Sequence, residues 1–228
     1  MKDKLKMPVS FNNGFEEGDY SAWDATIGPP TIDNIITHSG IYSSKSDVIL
    51  GGIQTCIKDF TPLDILHTRL YVRWQNLTGG GGRKNRFLLL RNVGVGDLFD
   101  VRQWTGGGIS TIWIEGAGLP APFWAVLINA NLFAIDQWYC IEIRYVNDVV
   151  NGEIRLWLDG VEQSFCDNLF NPIILTGVNT TQQIDRIDVG IIGNDEAQIG
   201  WIDNIALADT YIGTQKHVSI ISPSHAGL

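Results

Sequence analysis

The segment Trp-Tyr-Cys-Ile-Glu-Ile-Arg-Tyr-Val at residues 138–146 is followed closely by Glu-Ile-Arg-Leu-Trp-Leu at residues 153–158. In both segments apolar and polar side chains alternate, which is the period of a β-strand with one buried face. The apolar face of the first segment carries Tyr139, Ile141, Ile143 and Tyr145. The two segments therefore predict a pair of amphipathic strands that cover part of a hydrophobic core.

Two short polar connections follow these strands. Asn151-Gly152 lies between the two segments, and Asp159-Gly160 follows the second one before Val161. Asn-Gly and Asp-Gly favour type I′ turns, because both central residues of that turn need a positive φ. Residues 138–161 therefore predict a meander of three antiparallel strands joined by two tight turns.

The same strand period recurs along the rest of the chain, and no helix of more than two turns can be placed. Alternating or continuous apolar runs occur at residues 70–75, 87–91, 98–104, 110–115, 183–192 and 200–207. Many short strands at close spacing indicate a β-sandwich or jelly roll. We therefore predict an all-β protein, a two-sheet antiparallel sandwich over residues 1–228 as a single domain, whose terminal strands meet in one sheet. Residues 1–8 are predicted to be an N-terminal arm and residues 209–228 a C-terminal extension.

Composition excludes two classes of partner. The chain has 228 residues and a formal net charge of −9. Nucleic-acid binding depends on Lys and Arg that neutralise phosphates, so an acidic chain argues against it. No segment approaches the roughly 18 consecutive apolar residues of a membrane helix. The basic N-terminus is not followed by the apolar region of a signal peptide. We expect a protein that binds no nucleic acid and does not insert into a membrane.

The three cysteines are Cys56, Cys140 and Cys166. Their number is odd and their spacing lacks the close pairs of zinc and redox motifs. Free cysteine is among the most buried residue types, so buried unpaired thiols are the favoured interpretation. A disulfide between Cys140 and Cys166 is the alternative.

Four segments together carry a resemblance to a known fold family. They are Phe-Asn-Asn-Gly-Phe-Glu-Glu-Gly-Asp-Tyr-Ser-Ala-Trp at 11–23, His-Ser-Gly-Ile-Tyr-Ser at 38–43, the meander at 138–161, and Gly-Trp-Ile-Asp-Asn-Ile at 200–205. They resemble the opening, second, central and closing segments of concanavalin A-like lectin, glucanase and laminin-G-like jelly rolls. The resemblance implies a two-sheet jelly roll. The end of the chain, from Tyr211-Ile212-Gly213 to Pro223 and Gly227, is also similar to the tail of concanavalin A-like structural proteins of bacteriophages.

The resemblance further implies a structural calcium ion that ties the first strand to the last. Carried over to this sequence, its ligands would be the carboxylates of Glu16 and Asp203 and a carbonyl near Gly40, with Asp19 as a less favoured candidate. Calcium takes 6–8 oxygen ligands, so two carboxylates with carbonyls and waters suit it. The alternative is that Glu16 is an ordinary turn residue and Asp203 a hydrogen-bonded strand residue.

Polar and aromatic side chains at alternate positions of the central strands form a second candidate site. Sugars bind by stacking on Trp while polar groups bond their hydroxyls, and Arg can pair with a carboxylated sugar. The predicted ligand-binding residues are Arg73, Gln75, Arg102, Trp104, Arg144, Arg155 and Trp157. We expect them to line the concave face of one sheet, the usual ligand groove of this fold. An ordinary solvated sheet face is the alternative.

No catalytic residue can be assigned. The paired carboxylates that a retaining glycosidase needs on one strand are absent from the sequence. The four histidines stand outside the Gln-x-His pattern of alginate lyases. We therefore predict a non-catalytic structural or adhesive protein on the surface of a phage-like particle, in the virion or outside the cell. Its expected partners are a glycan or other virion proteins, within a homo-oligomer or larger assembly. A free carbohydrate-binding module or lectin is the first alternative, and a polysaccharide lyase or glycoside hydrolase the second.

Overall fold

The computed structural model describes residues 11–76, 83–106, 109–116, 124–127, 132–148, 150–166, 172–176, 182–193 and 197–214. The predicted N-terminal arm at 1–8 and most of the predicted C-terminal extension lie outside these residues. Within the described ranges every regular element is a β-strand. No helix in these ranges is long and apolar enough to cross a lipid bilayer.

The strands are numbered in chain order. They are β1 (Phe11–Asn13), β2 (Ala25–Ile27), β3 (Thr31–Asp33), β4 (Ser43–Val48), β5 (Ile53–Leu63), β6 (Ile65–Trp74), β7 (Arg83–Asn92), β8 (Gly96–Gly106), β9 (Ile109–Glu115), β10 (Trp124–Leu127), β11 (Trp138–Val146), β12 (Glu153–Leu158), β13 (Val161–Glu162), β14 (Phe165–Cys166), β15 (Pro172–Ile173), β16 (Ile184–Ile192) and β17 (Gln198–Ala208).

These strands form two antiparallel sheets. Sheet A has the order β13-β12-β11-β6-β17-β4-β3, with β1 also paired to β17. Sheet B has the order β15-β14-β10-β9-β8-β7-β16-β5-β2. The predicted all-β, two-sheet antiparallel fold is confirmed. The surface that each sheet turns away from the other is called below the sheet A face and the sheet B face.

The meander predicted at residues 138–161 is present in sheet A. Strand β11 pairs with β12, and β12 pairs with β13, both antiparallel. Asp159 and Gly160 have φ of 51° and 81°, as the predicted type I′ turn requires. Asn151-Gly152 differs, because neither residue has a positive φ. The Asp148 carboxylate instead accepts the N–H groups of Val150 and Asn151, which builds a longer connection.

The core lies between the sheets and follows the period-two pattern. Three side chains of sheet A are fully buried: Leu70 in β6, Ile141 in β11 and Leu156 in β12. Leu88 and Ile112 of sheet B are fully buried in the same core. Complete burial of one such side chain contributes about 1.5–3 kcal/mol. Alternation in the sequence thus decides which side of each strand faces inward.

The terminal strands meet as predicted. Strand β1 pairs with β17, with Phe11 opposite Leu207 and Asn13 opposite Ile205. The pairing of β17 with β6 shifts register between Asp203 and Ala206, and Asn204 within that bulge has a φ of 48°. A bulge changes the direction of the side chains around it. It sets the position of Asp203 beside the loop that follows β1.

All three cysteines are buried and free. Cys140 belongs to β11 in sheet A and Cys166 to β14 in sheet B, so the alternative disulfide is not formed. Burial raises the pKa of the Cys140 thiol to about 11, which keeps it protonated near neutral pH.

Candidate functional site

The predicted calcium ligands meet where strand β17 changes its pairing partner from β4 to β1, and three chain segments come together there. The Asp203 carboxylate accepts N–H bonds from His38 at 2.9 Å, from Ser39 at 3.2 Å and from Asn204 at 2.7 Å. Glu16 accepts the N–H of Ile41 at 2.9 Å. The two carboxylates therefore bind the His38–Ile41 loop to the segment after β1 and to strand β17.

Two glycines leave a space between these oxygens. A Cβ atom on Gly14 would lie 2.9 Å from Asn204 Oδ1, 3.5 Å from Asp203 Oδ1 and 3.6 Å from Glu16 Oε1. A Cβ on Gly40 would lie 2.0 Å from Glu16 Oε1, and Gly40 has a φ of 72°. Three oxygens thus surround one point beside Gly14 that no side chain fills.

The electrostatics of this carboxylate site favour a cation. Burial raises the pKa of Asp203 to about 7, and the negative charge of Glu16 also raises it. The three N–H bonds that the carboxylate accepts lower the pKa and so oppose this shift. The side-chain atoms that could bind a metal ion here are all oxygens, the ligand type that calcium prefers. Among the described residues, no group of three or more His, Cys, Asp or Glu side chains converges on one point. The remaining ligands would have to be amide and carbonyl oxygens and waters. Asp19, the less favoured candidate, instead accepts the N–H of Ser21.

The seven predicted ligand-binding residues do not share one surface. Arg102 and Trp104 lie in β8 of sheet B. The other five, Arg73, Gln75, Arg144, Arg155 and Trp157, lie on or directly after strands of sheet A. The expectation of a single groove is therefore corrected. Alternation tells which residues face outward from a strand, but it does not tell to which sheet the strand belongs.

On the sheet A face the predicted residues are bound to other parts of the chain. Arg73 pairs with Asp136 at 2.8 Å and lies over the ring of Trp201. Arg144 and Arg155 both pair with Glu153. The ring of Trp157 packs against that of Tyr211, with 5.2 Å between centroids. Neighbours on the same face thus hold these side chains in place, although the Arg155 side chain remains 48% exposed.

On the sheet B face the aromatic rings remain partly accessible. The half-buried rings of Trp104 and Trp113 lie 6.1 Å apart on neighbouring strands. The Glu115 carboxylate accepts a hydrogen bond from Trp113 Nε1 at 3.2 Å and forms an ion pair with Arg102, also at 3.2 Å. Arg102 also holds Asp100 through two bonds of 2.5 and 2.6 Å. These contacts orient the Trp113 indole, and the Trp104 ring packs against it beside the charged groups.

The ion pairs of the sheet B face continue toward β16. Arg91 lies 2.9 Å from Asp97 and 3.4 Å from Asp188, and Arg186 pairs with Asp59. Burial raises the pKa of both Asp100 and Asp188, opposed by the arginines beside them. Asp188 is 3% exposed and its Oδ1 has no hydrogen-bond partner. Burial of a carboxylate oxygen without a hydrogen-bond partner costs folding free energy, so Asp188 destabilises the folded state to some extent.

Comparisons with known proteins address the fold. No protein-family model matches the sequence, and no curated protein matches it. The structure is similar to the cellulose-induced protein Cip1, at 17% identity and a TM-score of 0.63 over 90% of this chain and 100% of that one. It is also similar to a carbohydrate esterase of the Shiga toxin-encoding bacteriophage phi24B, at 14% identity and a TM-score of 0.57 over 90% and 98% of the two chains.

A third similar structure is the alginate lyase from Klebsiella pneumoniae, at 8% identity and a TM-score of 0.50 over 79% of this chain and 85% of that one. The chain has the two-sheet jelly-roll fold of concanavalin A-like proteins. At these identities the likeness is one of fold alone.

Several residues on the two faces of the jelly roll were not among the predicted ligand-binding residues. Trp113 and Glu115 follow the same alternation as Trp104 and Arg102, and the turn between β8 and β9 would have placed them beside each other. That hairpin was a usable signal for the sheet B face. Alternation placed Glu142 among the outward polar positions of the central strands, but neither it nor His67 gave a signal of burial, because the segment that covers them follows β17.

Proposed function

We propose that this jelly roll is a non-catalytic glycan-binding protein whose ligand site is the sheet B face. The observation that carries the proposal is the pair of neighbouring indoles, Trp104 and Trp113, held at 6.1 Å beside ion-paired polar groups. Indole faces stack on the apolar faces of sugar rings, while carboxylate and guanidinium groups bond the hydroxyls. The corresponding surface of sheet A is occupied by its own ion pairs and by Tyr211.

The proposed setting is the surface of a phage-like particle, with the domain as part of an oligomer or larger assembly. The C-terminal similarity to bacteriophage structural proteins supports this setting. A fold shared with a protein of the bacteriophage phi24B agrees with it. The partners would be a glycan on one side and other virion proteins on the other. Co-purification of the chain with capsid or tail proteins would support this setting, and exclusive recovery as a free monomer would contradict it.

Glycan binding is tested by a glycan array followed by calorimetry on the best ligand. Trp104→Ala and Trp113→Ala should each weaken binding about tenfold, because each indole would bury apolar surface against a sugar ring, and such burial contributes about 25 cal/mol per Å². The matched control is Trp157→Ala on the sheet A face, which should leave the affinity unchanged. Loss of binding in the control alone, or no ligand on the array, would overturn the proposal. Growth of ultraviolet absorbance with polyuronic acids would favour a lyase instead.

We propose in addition that the carboxylate site holds a structural calcium ion. Glu16, Asp203 and Asn204 would supply side-chain oxygens, and Gly40 lets the chain approach Glu16. The bound ion would neutralise two carboxylates that now repel each other and would tie the start of the sheet to its last strand. This role is structural, and the ion takes no part in glycan binding.

The calcium proposal is tested by thermal unfolding in calcium and in EDTA. Calcium at about 100 times its Kd should stabilise the fold by about 2.7 kcal/mol. Glu16→Gln should remove most of this response. The matched control is Glu17→Gln, since Glu17 is the next residue and contacts Asn13 rather than the site. No heat of binding and no change in Tm would leave only the hydrogen-bonding role of the two carboxylates.

A further inference from the structure

The segment Tyr211–Thr214 lies across the sheet A face. It begins three residues after Ala208, the last residue of β17. From there the chain crosses β6 and β11 toward the turn after β12, where the methyl group of Thr214 would lie 3.2 Å from a Cβ on Gly160. It is thus held on a sheet to which it adds no strand.

A single buried carboxylate binds the backbone of this segment. Glu142, which is 2% exposed, accepts the N–H groups of Ile212 and Gly213, each at 2.8 Å. Its Oε1 also contacts His67 Nδ1 at 3.1 Å. Bonds in which the acceptor is charged are roughly twice as strong as neutral ones. Glu142 lies in the middle of β11, so its position is fixed by strands on both sides.

The other groups of the segment are bound as well. Arg69, also 2% exposed, donates to the carbonyl of Gly213 at 3.0 Å, and its Nε has no partner. The Tyr211 ring packs against Trp157 at 5.2 Å and against His67 at 6.3 Å. Gly213 has a φ of 75°, a conformation that glycine adopts without strain. The site therefore recognises an aromatic side chain, two consecutive amides and a glycine.

We propose that the sheet A face carries a peptide-anchoring site, built from Glu142, Arg69, His67 and Trp157, whose ligand is the chain's own Tyr-Ile-Gly segment. The site ties the beginning of the C-terminal extension to the centre of the sheet. A force applied to the extension then acts on β11 and β6 together, instead of peeling the last residues of β17. Two buried polar side chains, Glu142 and Arg69, thus make three hydrogen bonds to the backbone of one segment.

Hydrogen exchange of the full-length chain tests the anchor. In the wild type the amides of Ile212 and Gly213 should be protected, although they lie in no strand. Glu142→Gln places an amide NH₂ group where one of the carboxylate acceptors was, and should reduce that protection about tenfold to a hundredfold. Limited proteolysis beyond residue 208 should accelerate by a similar factor, while the amides of β6 and β11 keep their protection.

Two further variants keep the proposal testable if Glu142→Gln disturbs the sheet. Tyr211→Ala and Gly213→Ala alter only the bound segment and should also release it. The matched control is Glu153→Gln, a carboxylate on the neighbouring strand of the same face that contacts Arg144 and Arg155, and it should change nothing at residues 211–214. Unprotected amides at 212 and 213 in the wild type, or unchanged protection in all three variants, would overturn the anchor. Glycan binding should be the same throughout, so this result is independent of the function proposed for the sheet B face.

Discussion

The two outward faces of the sandwich differ in how their polar and aromatic side chains are contacted by the rest of the chain. Both carry charged and aromatic side chains at outward positions of their central strands. On the sheet A face these groups are covered by other parts of the chain, namely the His38–Ile41 loop and the Tyr211–Thr214 segment. On the sheet B face they pair with one another and leave two indoles partly accessible. Similar strand sequences can therefore produce either a covered surface or an open one.

The difference follows from the strands to which the covering segments are attached. Strands β3, β4 and β17 all belong to sheet A, so the His38–Ile41 loop between β3 and β4 and the segment after β17 lie beside that sheet. The centre of sheet B is made of the consecutive strands β7, β8 and β9, which are joined by short hairpin connections. The side chains of Trp104 and Trp113 on this face are intermediate in exposure. This partly exposed pair of indoles is the surface on which we place the proposed ligand site.

The largest expected effect comes from truncating a tryptophan on each face. Trp201 on the sheet A face is 2% exposed, donates to Asp33 at 2.8 Å, and lies beneath Lys45 and Arg73. Trp201→Ala should lower the free energy of unfolding by about 3–5 kcal/mol, the usual cost of removing a buried aromatic ring. Trp104→Ala on the sheet B face should cost about 1 kcal/mol, because its ring is only half-buried.

Denaturant unfolding of both variants measures this contrast. Equal losses of stability would show that the sheet B face is as closely packed as the sheet A face. The division into a covered and an open surface would then be wrong.

A smaller effect is expected from two glycines with nearly the same backbone conformation. Gly40 and Gly51 have φ of 72° and 73°, but a Cβ on Gly40 meets the Glu16 carboxylate and a Cβ on Gly51 meets nothing within 4 Å. Alanine at either position should cost about 1–2 kcal/mol through left-handed backbone strain. Gly40→Ala should cost about 1 kcal/mol more, because Glu16 must swing away from the N–H of Ile41.

Thermal unfolding with and without calcium separates the two substitutions further. The calcium response should survive in Gly51→Ala and disappear in Gly40→Ala. If both variants keep the response, Glu16 is not held where the proposed calcium site needs it.

The smallest effect concerns the pH dependence of the sheet B face. Burial raises the pKa of Asp188, so the folded state holds that proton to a higher pH than the unfolded chain does. The carboxyl therefore costs stability as the pH rises from its ordinary pKa of about 3.9 through the folded-state value. Relative to Asp188→Asn, the wild type should lose free energy of unfolding over this window. A difference that stays constant or grows with pH would mean that the pairing with Arg91 outweighs burial.

Much of the fold could be predicted from local sequence. The strands around Leu70, Val72 and Trp74 and around Ile141 were predicted with the correct buried face, because alternation is a property of a single strand. The meeting of β1 and β17 was also predicted, as was the turn at Asp159-Gly160. The turn at Asn151-Gly152 was not, since the side chain of Asp148 captured two backbone amides that a type I′ turn would have used differently.

The candidate sites depended more on tertiary structure. Glu16, Gly40 and Asp203 were expected together from the resemblance, and the structure does bring them together. The ligand-binding set mixed residues of two opposite surfaces, with Arg102 and Trp104 on one and Trp157 on the other.

The amino-acid sequence by itself determined the strands, their inward sides and the type of fold, because these follow from the alternation of side chains along a few neighbouring residues. Only the tertiary structure decided which strands share a sheet, which face stays open and what covers Glu142. Those outcomes depend on contacts between residues far apart in the chain, such as the bonds of Glu142 with Ile212 and Gly213. The alternation of side chains along one strand does not encode such contacts, because they depend on which strands lie side by side in a sheet.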